Sequence, residues 1–168
     1  MIPTFRELQY EISGVLREQG GLGAIVVDLA PLAHIERSFG GAAYQALRAQ
    51  IDPLLGDLKD RIRDGDVVTR DEREGDRFLI FLSGRRSEQS AFAAKDLSRL
   101  SDRVADFLIP RIGRLTLPYL RERPVFGVGY GFVLWSPLEG DERQVLRLIE
   151  DALTSAGLRQ RLRERDER

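Results

Sequence analysis

Apolar positions along this chain recur with two periods, and the switches between them mark out the elements. Residues 3–19 place Phe5, Leu8, Ile12 and Val15/Leu16 three and four apart, which predicts a helix closed by Gly20-Gly21. Residues 23–29, GAIVVDL, form a short continuous apolar run ending near an acid, the pattern of a buried strand that leads into a functional loop. Pro31 and then Gly40-Gly41 break the chain. Residues 42–62 put Tyr44, Leu47, Ile51, Leu54/Leu55, Leu58 and Ile62 on one helical face, and Pro53 within them predicts a kink or two pieces. DGDVVTR (64–70) and RFLIFLS (77–83) predict an antiparallel hairpin closed by the charged turn DEREGD. Residues 87–109 read as a helix, followed by a loop holding Pro110, Pro118 and Pro124. PVFGVGYGFVLW (124–135) reads as a strand whose alternate glycines 127, 129 and 131 predict close packing under a helix, with Phe132 and Trp135 in the core. A last helix runs from about 141 past Gly157.

This order predicts the α/β (α+β) class, with a single central mixed β-sheet flanked by helices. The expected organisation is an N-terminal helix (1–20), a domain (21–157) and a charged helical tail or linker (158–168). The tail pairs arginine with acids at i,i+3 and i,i+4, which favours a protruding, solvated C-terminal helix, the alternative being a frayed terminus. The first strand and the hairpin should lie side by side, bringing Asp28 close to the turn at 71–77.

Composition then narrows the chemistry. The 168 residues are 42% hydrophobic and 32% charged, an ordinary balance for one globular domain. There is no cysteine, which excludes disulfides, thiolate zinc sites and cysteine nucleophiles. His34, the one histidine, has no partner for a metal centre and reads as a surface or cap residue. A net charge of −1 gives no electrostatic footprint for nucleic acid. No apolar run reaches the roughly 18 residues of a membrane span, and the N-terminus lacks a signal peptide's apolar block, so a cytoplasmic location and no membrane partner are expected. Only Lys59 and Lys95 of the 26 basic residues are lysine; the rest are arginine, suited to forked contacts with carboxylate and phosphate.

Asp28 at a strand end and Asp76 in an adjacent turn carry the first candidate chemistry. Two such carboxylates suit Mg²⁺, which takes hard oxygen ligands and shares them with substrate phosphates. The same pair also reads as a solvated turn acid and a strand-end acid capping the next helix, and spacing alone leaves both open.

The order of these motifs resembles the GGDEF domain, the diguanylate cyclase fold that condenses two GTP into cyclic di-GMP. The resemblance runs from about residue 21 to 157. AIVVDL followed by APLAHIERSFGGAAYQAL looks like the family's strand, metal aspartate and long helix, with Phe39-Gly40 matching directly. EGDRFLIFL stands where the signature and its strand belong, VFGVGYGF resembles the later glycine-containing strand, and IEDALTSAG the final helix. The resemblance implies Asp28 and Asp76 as metal ligands and Glu74, Gly75, Asp76, Arg77 and Phe78 as the remnant signature.

The departures imply lost catalysis. Glu74 replaces a glycine where backbone approaches nucleotide. Arg77 replaces an acid that helps hold metal and activate the substrate hydroxyl, and a guanidinium cannot act as that base. Ala30 replaces a second acid, Ala33 a phosphate-binding lysine, and Glu36 and Gln45 stand where asparagine and aspartate read guanine. Beside Asp28 and Asp76, Arg77 would neutralise the acids as a metal would; equally, it would face water on the hairpin. Upstream, Arg63 and Asp66 form an RxxD pattern, which in this family is an inhibitory site for stacked cyclic di-GMP; Arg85 would add a second guanidinium. The resemblance therefore implies a non-enzymatic regulatory domain in bacterial cyclic di-GMP signalling. It would require no cofactor and would bind cyclic di-GMP, a protein partner, a following EAL-type domain or a second copy of itself. The competing readings are a residual Mg²⁺-dependent cyclase with altered base preference and a ligand-free dimerisation scaffold.

Overall fold

The computed structural model describes residues 2–59, 66–71, 76–83, 94–121 and 124–166. Helix α1 (Phe5–Gln19) begins at Thr4, whose hydroxyl accepts from the Glu7 amide while the Glu7 carboxylate accepts from the Thr4 amide. That reciprocal cap satisfies two of the N–H groups that a helix start leaves free. Gly20, at φ +73°, ends the helix in the left-handed conformation that glycine adopts without strain. Strand β1 (Gly21–Asp28) leads through a short turn (Ala30–Leu32) into α2 (Ala33–Phe39). His34 caps locally, its Nδ1 lying 2.6 Å from the Pro31 carbonyl oxygen. Helix α3 (Gly41–Lys59) follows, then strands β2 (Val67–Arg70) and β3 (Arg77–Ser83), helix α4 (Ala94–Thr116), strand β4 (Gly127–Leu134) and helix α5 (Asp141–Asp166).

The four strands lie in the order β2-β3-β1-β4. The expectation of a central sheet flanked by helices holds, but every named ladder is antiparallel rather than mixed. The reason is the hairpin: β3 inserts between β1 and β2, so strands that run the same way never become neighbours. The one parallel pairing among the described residues is an isolated bridge between Thr4 and Arg70.

Both faces of the sheet are covered, which is why β1 reads as an unbroken apolar run. Ile25, Val27, Phe78, Ile80 and Val128 point into the core shared with α2, α3 and α4. Ala24, Val26, Leu79, Phe81 and Val133 point into the core shared with α1 and α5. Trp135 and Phe132, expected in the core, are partly buried against its two halves.

Two prolines sit inside helices. Pro53 leaves α3 as one helix rather than two pieces. Pro110 was expected in a loop, yet α4 continues through it to Thr116. Burial accounts for the extension: Leu108 and Ile112, on either side of the proline, are fully buried, and that packing offsets the lost hydrogen bond. Helix α5 also runs on without interruption through residues 158–166. Its far end is anchored to α4 by Arg159, which donates to Asp102 (2.6 Å) and Ser101 (3.1 Å) and lies over the Tyr130 ring.

The near end of α5 is fixed by polar contacts. Gln144, fully buried, bonds to the Ser136 amide and to the Ser136 and Glu139 carbonyls. Asp141 accepts from the Trp135 indole and from Arg17, and these bonds hold its carboxyl below the usual range. Between the two ends α5 lies almost directly on the β4 backbone. A Cβ added at Gly129 would stand 2.1 Å from the Ala156 amide nitrogen, and one at Gly131 would stand 3.0 Å from the Leu148 carbonyl oxygen.

Gly129→Ala should therefore destabilise the domain by about 3 kcal/mol or more, because the atom it meets is helix backbone and cannot step aside. Gly14→Ala, in the interior of α1 with open space at its Cβ, should instead gain about 0.5–1 kcal/mol. Urea unfolding of the two variants decides the matter; equal effects would contradict the close helix-on-strand contact.

Candidate functional site

The register of β1 on β3 pairs Asp28 with Arg77, so the strand-end acid and the turn after β2 meet as the sequence predicts. The Leu29 amide donates to the Asp76 carbonyl (2.8 Å), tying the two segments together at the backbone. Asp28 and Asp76 thus stand together at one end of the sheet, with Asp76 reached from α3.

Each carboxylate is matched by a guanidinium. Asp28 accepts from the Ala30 amide at 3.0 Å through Oδ1, and its Oδ2 lies 3.6 Å from Arg77 Nε. Asp28 is therefore a local cap and an ion-pair partner at once. Asp76 Oδ1 accepts from both the Tyr44 hydroxyl and Arg48 Nη1. Arg48 also lies over the Phe78 ring, 5.3 Å from its centre, so Phe78 supports the cation that holds Asp76. The Arg48 side chain is only 13% exposed, which strengthens the pairing relative to a surface ion pair.

Tyr44 and Arg48 were not among the sequence candidates for this site. The signal available was their spacing: residues four apart on α3 share a face, so the helix that buries Tyr44 also aims Arg48 inward. Burial pushes the Tyr44 phenol up to about 12, with the hydrogen bond to the Asp76 carboxylate adding to the shift.

Phe78 is fully buried in the core. Glu36 on α2 and Gln45 on α3 are both exposed. Phe39 is half exposed and packs edge-on against Tyr119, 5.2 Å between ring centres. Asp66, just before β2, is 6% exposed. Arg63, Glu74, Gly75 and Arg85 lie outside the described residues. Among the described residues, no group of three or more His, Cys, Asp or Glu side chains is placed to hold a metal.

A cavity of about 380 Å³ opens between α3 and α4, lined by Leu58, Arg103, Asp106, Phe107 and Arg111 among others. Arg111 lies over the Phe107 ring, 3.9 Å from its centre, and donates to the Phe107 carbonyl.

No protein-family model matches the chain, and no curated protein matches it in sequence. Solved structures do resemble it. The GGDEF domain of YfiN (TpbB) from Pseudomonas aeruginosa is 20% identical, covering 96% of this chain and 91% of that one, with a TM-score of 0.56. An EAL/GGDEF domain protein from M. capsulatus is 22% identical over 92% and 90% of the two chains, with a TM-score of 0.55. The GGDEF domain of DgcB from Caulobacter crescentus, in complex with c-di-GMP, is 12% identical over 92% and 82%, with a TM-score of 0.58. The chain has the GGDEF-domain fold. No helix among the described residues is long and apolar enough to cross a membrane.

The Tyr44 shift carries a pH signature. A phenol near 10 in the unfolded chain and about 12 in the folded one keeps its proton longer when folded. Its contribution to stability is complete below the unfolded value and is lost as pH rises toward the folded one. The urea midpoint should fall more steeply between about pH 10 and about pH 12 in the native protein than in Tyr44→Phe. Equal alkaline slopes in the two proteins would show that the phenol is not held by this site.

Proposed function

We propose that this chain is a catalytically silent GGDEF-fold module that acts by binding in cyclic di-GMP signalling. The observation that carries the reading is the guanidinium on each of the two acids. In a cyclase of this fold a divalent cation would supply positive charge to the phosphates. The donor set does not fit such a cation. Asp76 Oδ1 already accepts from Tyr44 and Arg48, and Asp28 Oδ1 accepts from the Ala30 amide. A divalent ion would have to displace or crowd Arg77 and Arg48, and like charges at close range are repulsive. A base is missing as well, because the Arg77 guanidinium is a hydrogen-bond donor with no acceptor to take a proton. The acids and arginines instead tie β1, α3 and the β2–β3 turn together as an internal charge cluster.

The binding reading draws support from a second place. The α3–α4 cavity offers Arg103 and Arg111 beside the Phe107 ring, donors and a flat surface suited to phosphates and nucleobases. Its volume lies within the usual range for small-ligand sites. Arg63 and Arg85 would complete the recognition, as the RxxD resemblance implies. Burial leaves the Asp66 carboxylate little surface to offer a ligand, so the arginines bear the weight of this reading. The structural resemblance to a GGDEF domain in complex with c-di-GMP supports the choice of ligand. The resemblance to an EAL/GGDEF protein supports a following signalling domain as a partner.

Incubated with GTP and Mg²⁺, the protein should form no cyclic dinucleotide, and Mg²⁺ should leave its melting temperature unchanged. Arg77→Glu should gain a Mg²⁺-dependent rise in melting temperature, since it removes the competing cation and adds an acid. Calorimetry with cyclic di-GMP should give micromolar binding, about −8 kcal/mol, lost in Arg63→Ala. Turnover of GTP that disappears in Asp76→Ala would replace this reading with a residual cyclase. Absence of heat with cyclic di-GMP would leave a protein partner as the ligand.

A further inference from the structure

A second cavity, of about 470 Å³, lies where α3, strand β2 and the N-terminal segment meet. Ile2, Pro3, Pro53, Leu55, Gly56 and Val68 supply apolar walls, and Ala49 and Asp52 complete the lining. Asp52 brings the one polar side chain among these residues, and a carboxylate accepts. Asp52 Oδ1 is buried and has no hydrogen-bond partner among the described residues.

Two backbone carbonyls add to it, each for want of a proline N–H. In α3 the carbonyl of Ala49 should accept from residue 53, and Pro53 has no N–H to give. At the sheet edge, Arg70 donates outward to the Pro3 carbonyl at 2.9 Å, where Thr4 and Arg70 form their parallel bridge. Strand alternation turns Val68, two residues earlier, to the same outer edge. Continuing that parallel pairing would require the Pro3 N–H as donor to the Val68 carbonyl, and Pro3 has none.

We propose that this groove is a binding site for a short aliphatic cation, an alkylammonium or alkylguanidinium. The chemistry is complementary throughout. Such a molecule has an apolar stem for the Ile2, Pro53 and Val68 walls, and a head that only donates and carries positive charge. A ligand without a donor would leave the buried Asp52 oxygen unmatched, and a neutral donor would leave the carboxylate's charge unbalanced. A free small molecule fits better than an added peptide strand, because Pro3 and Thr4 already occupy the Arg70 end of the edge.

The test is an amide-resolved NMR titration of the full chain with 1,5-diaminopentane and with agmatine, using 1-pentanol as the neutral control. Saturable shifts should appear below about 10 mM at residues 49–56, at Val68 and at Ile2, with no matching response to pentanol. Asp52→Asn should weaken binding about tenfold or more. Gly56→Leu should abolish it by filling the groove, since a side chain there meets open space and leaves the fold intact. Asp57→Asn, one turn along and exposed, should leave binding unchanged. Equal shifts with pentanol, no saturation, insensitivity to Asp52→Asn, or an equal loss in Asp57→Asn would each overturn the proposal.

Discussion

Asp28 ends the central strand at the point where the buried interior of the sheet meets solvent, and opposite it in register stands Arg77. The seven residues before Asp28 are buried, so the register there has no freedom: a slip by one residue would turn Ile25 and Val27 out of one core and Ala24 and Val26 into it. Burial of β1 thus dictates which residue of the β2–β3 turn faces which acid. Because β3 follows the turn directly, the same register places Asp76 beside the first residue after β1, and the backbone bond from Leu29 closes the arrangement.

Two acids held this close need positive charge between or beside them, and there are two ways to supply it. A divalent ion does so reversibly and leaves room for substrate phosphates. Guanidinium groups do so permanently, with fixed directions and an aromatic face beneath one of them. Here Arg48 reaches Asp76 from α3 and Arg77 reaches Asp28 from β3, so the charge balance is built into the packing of the domain. Such a cluster is a joint between elements, separate from the arginine-lined cavity by α3 and α4 and from the groove between α3 and β2.

The other close constraint is steric. Helix α5 rests on β4 at a separation that only glycine permits, and the helix is held at both ends, by Asp141 and Gln144 near its start and by Arg159 beyond the sheet. The result is a long helix whose orientation is coupled to the sheet backbone rather than to interchangeable side chains.

Much of this was legible in the chain. The apolar run of β1, the hairpin and the alternating glycines of β4 are local patterns, and each follows from what one strand or helix face must bury. The meeting of Asp28 with the 71–77 turn was legible too, because strand adjacency follows from a short connection. What sequence reading missed depended on distance along the chain. Arg48 and Tyr44 find Asp76 across 28 and 32 residues, and nothing local in α3 announces that partner. Pro110 stays helical because Ile112 has a core to enter, a tertiary gain that outweighs the local penalty. The antiparallel character of the sheet came from the placement of β3 between β1 and β2, which no single strand encodes. Periodicity, caps and turns are decided by neighbours within a turn or two. Charge pairing and strand order are decided by whichever groups the burial of β1 brings within reach, and only the folded chain selects those.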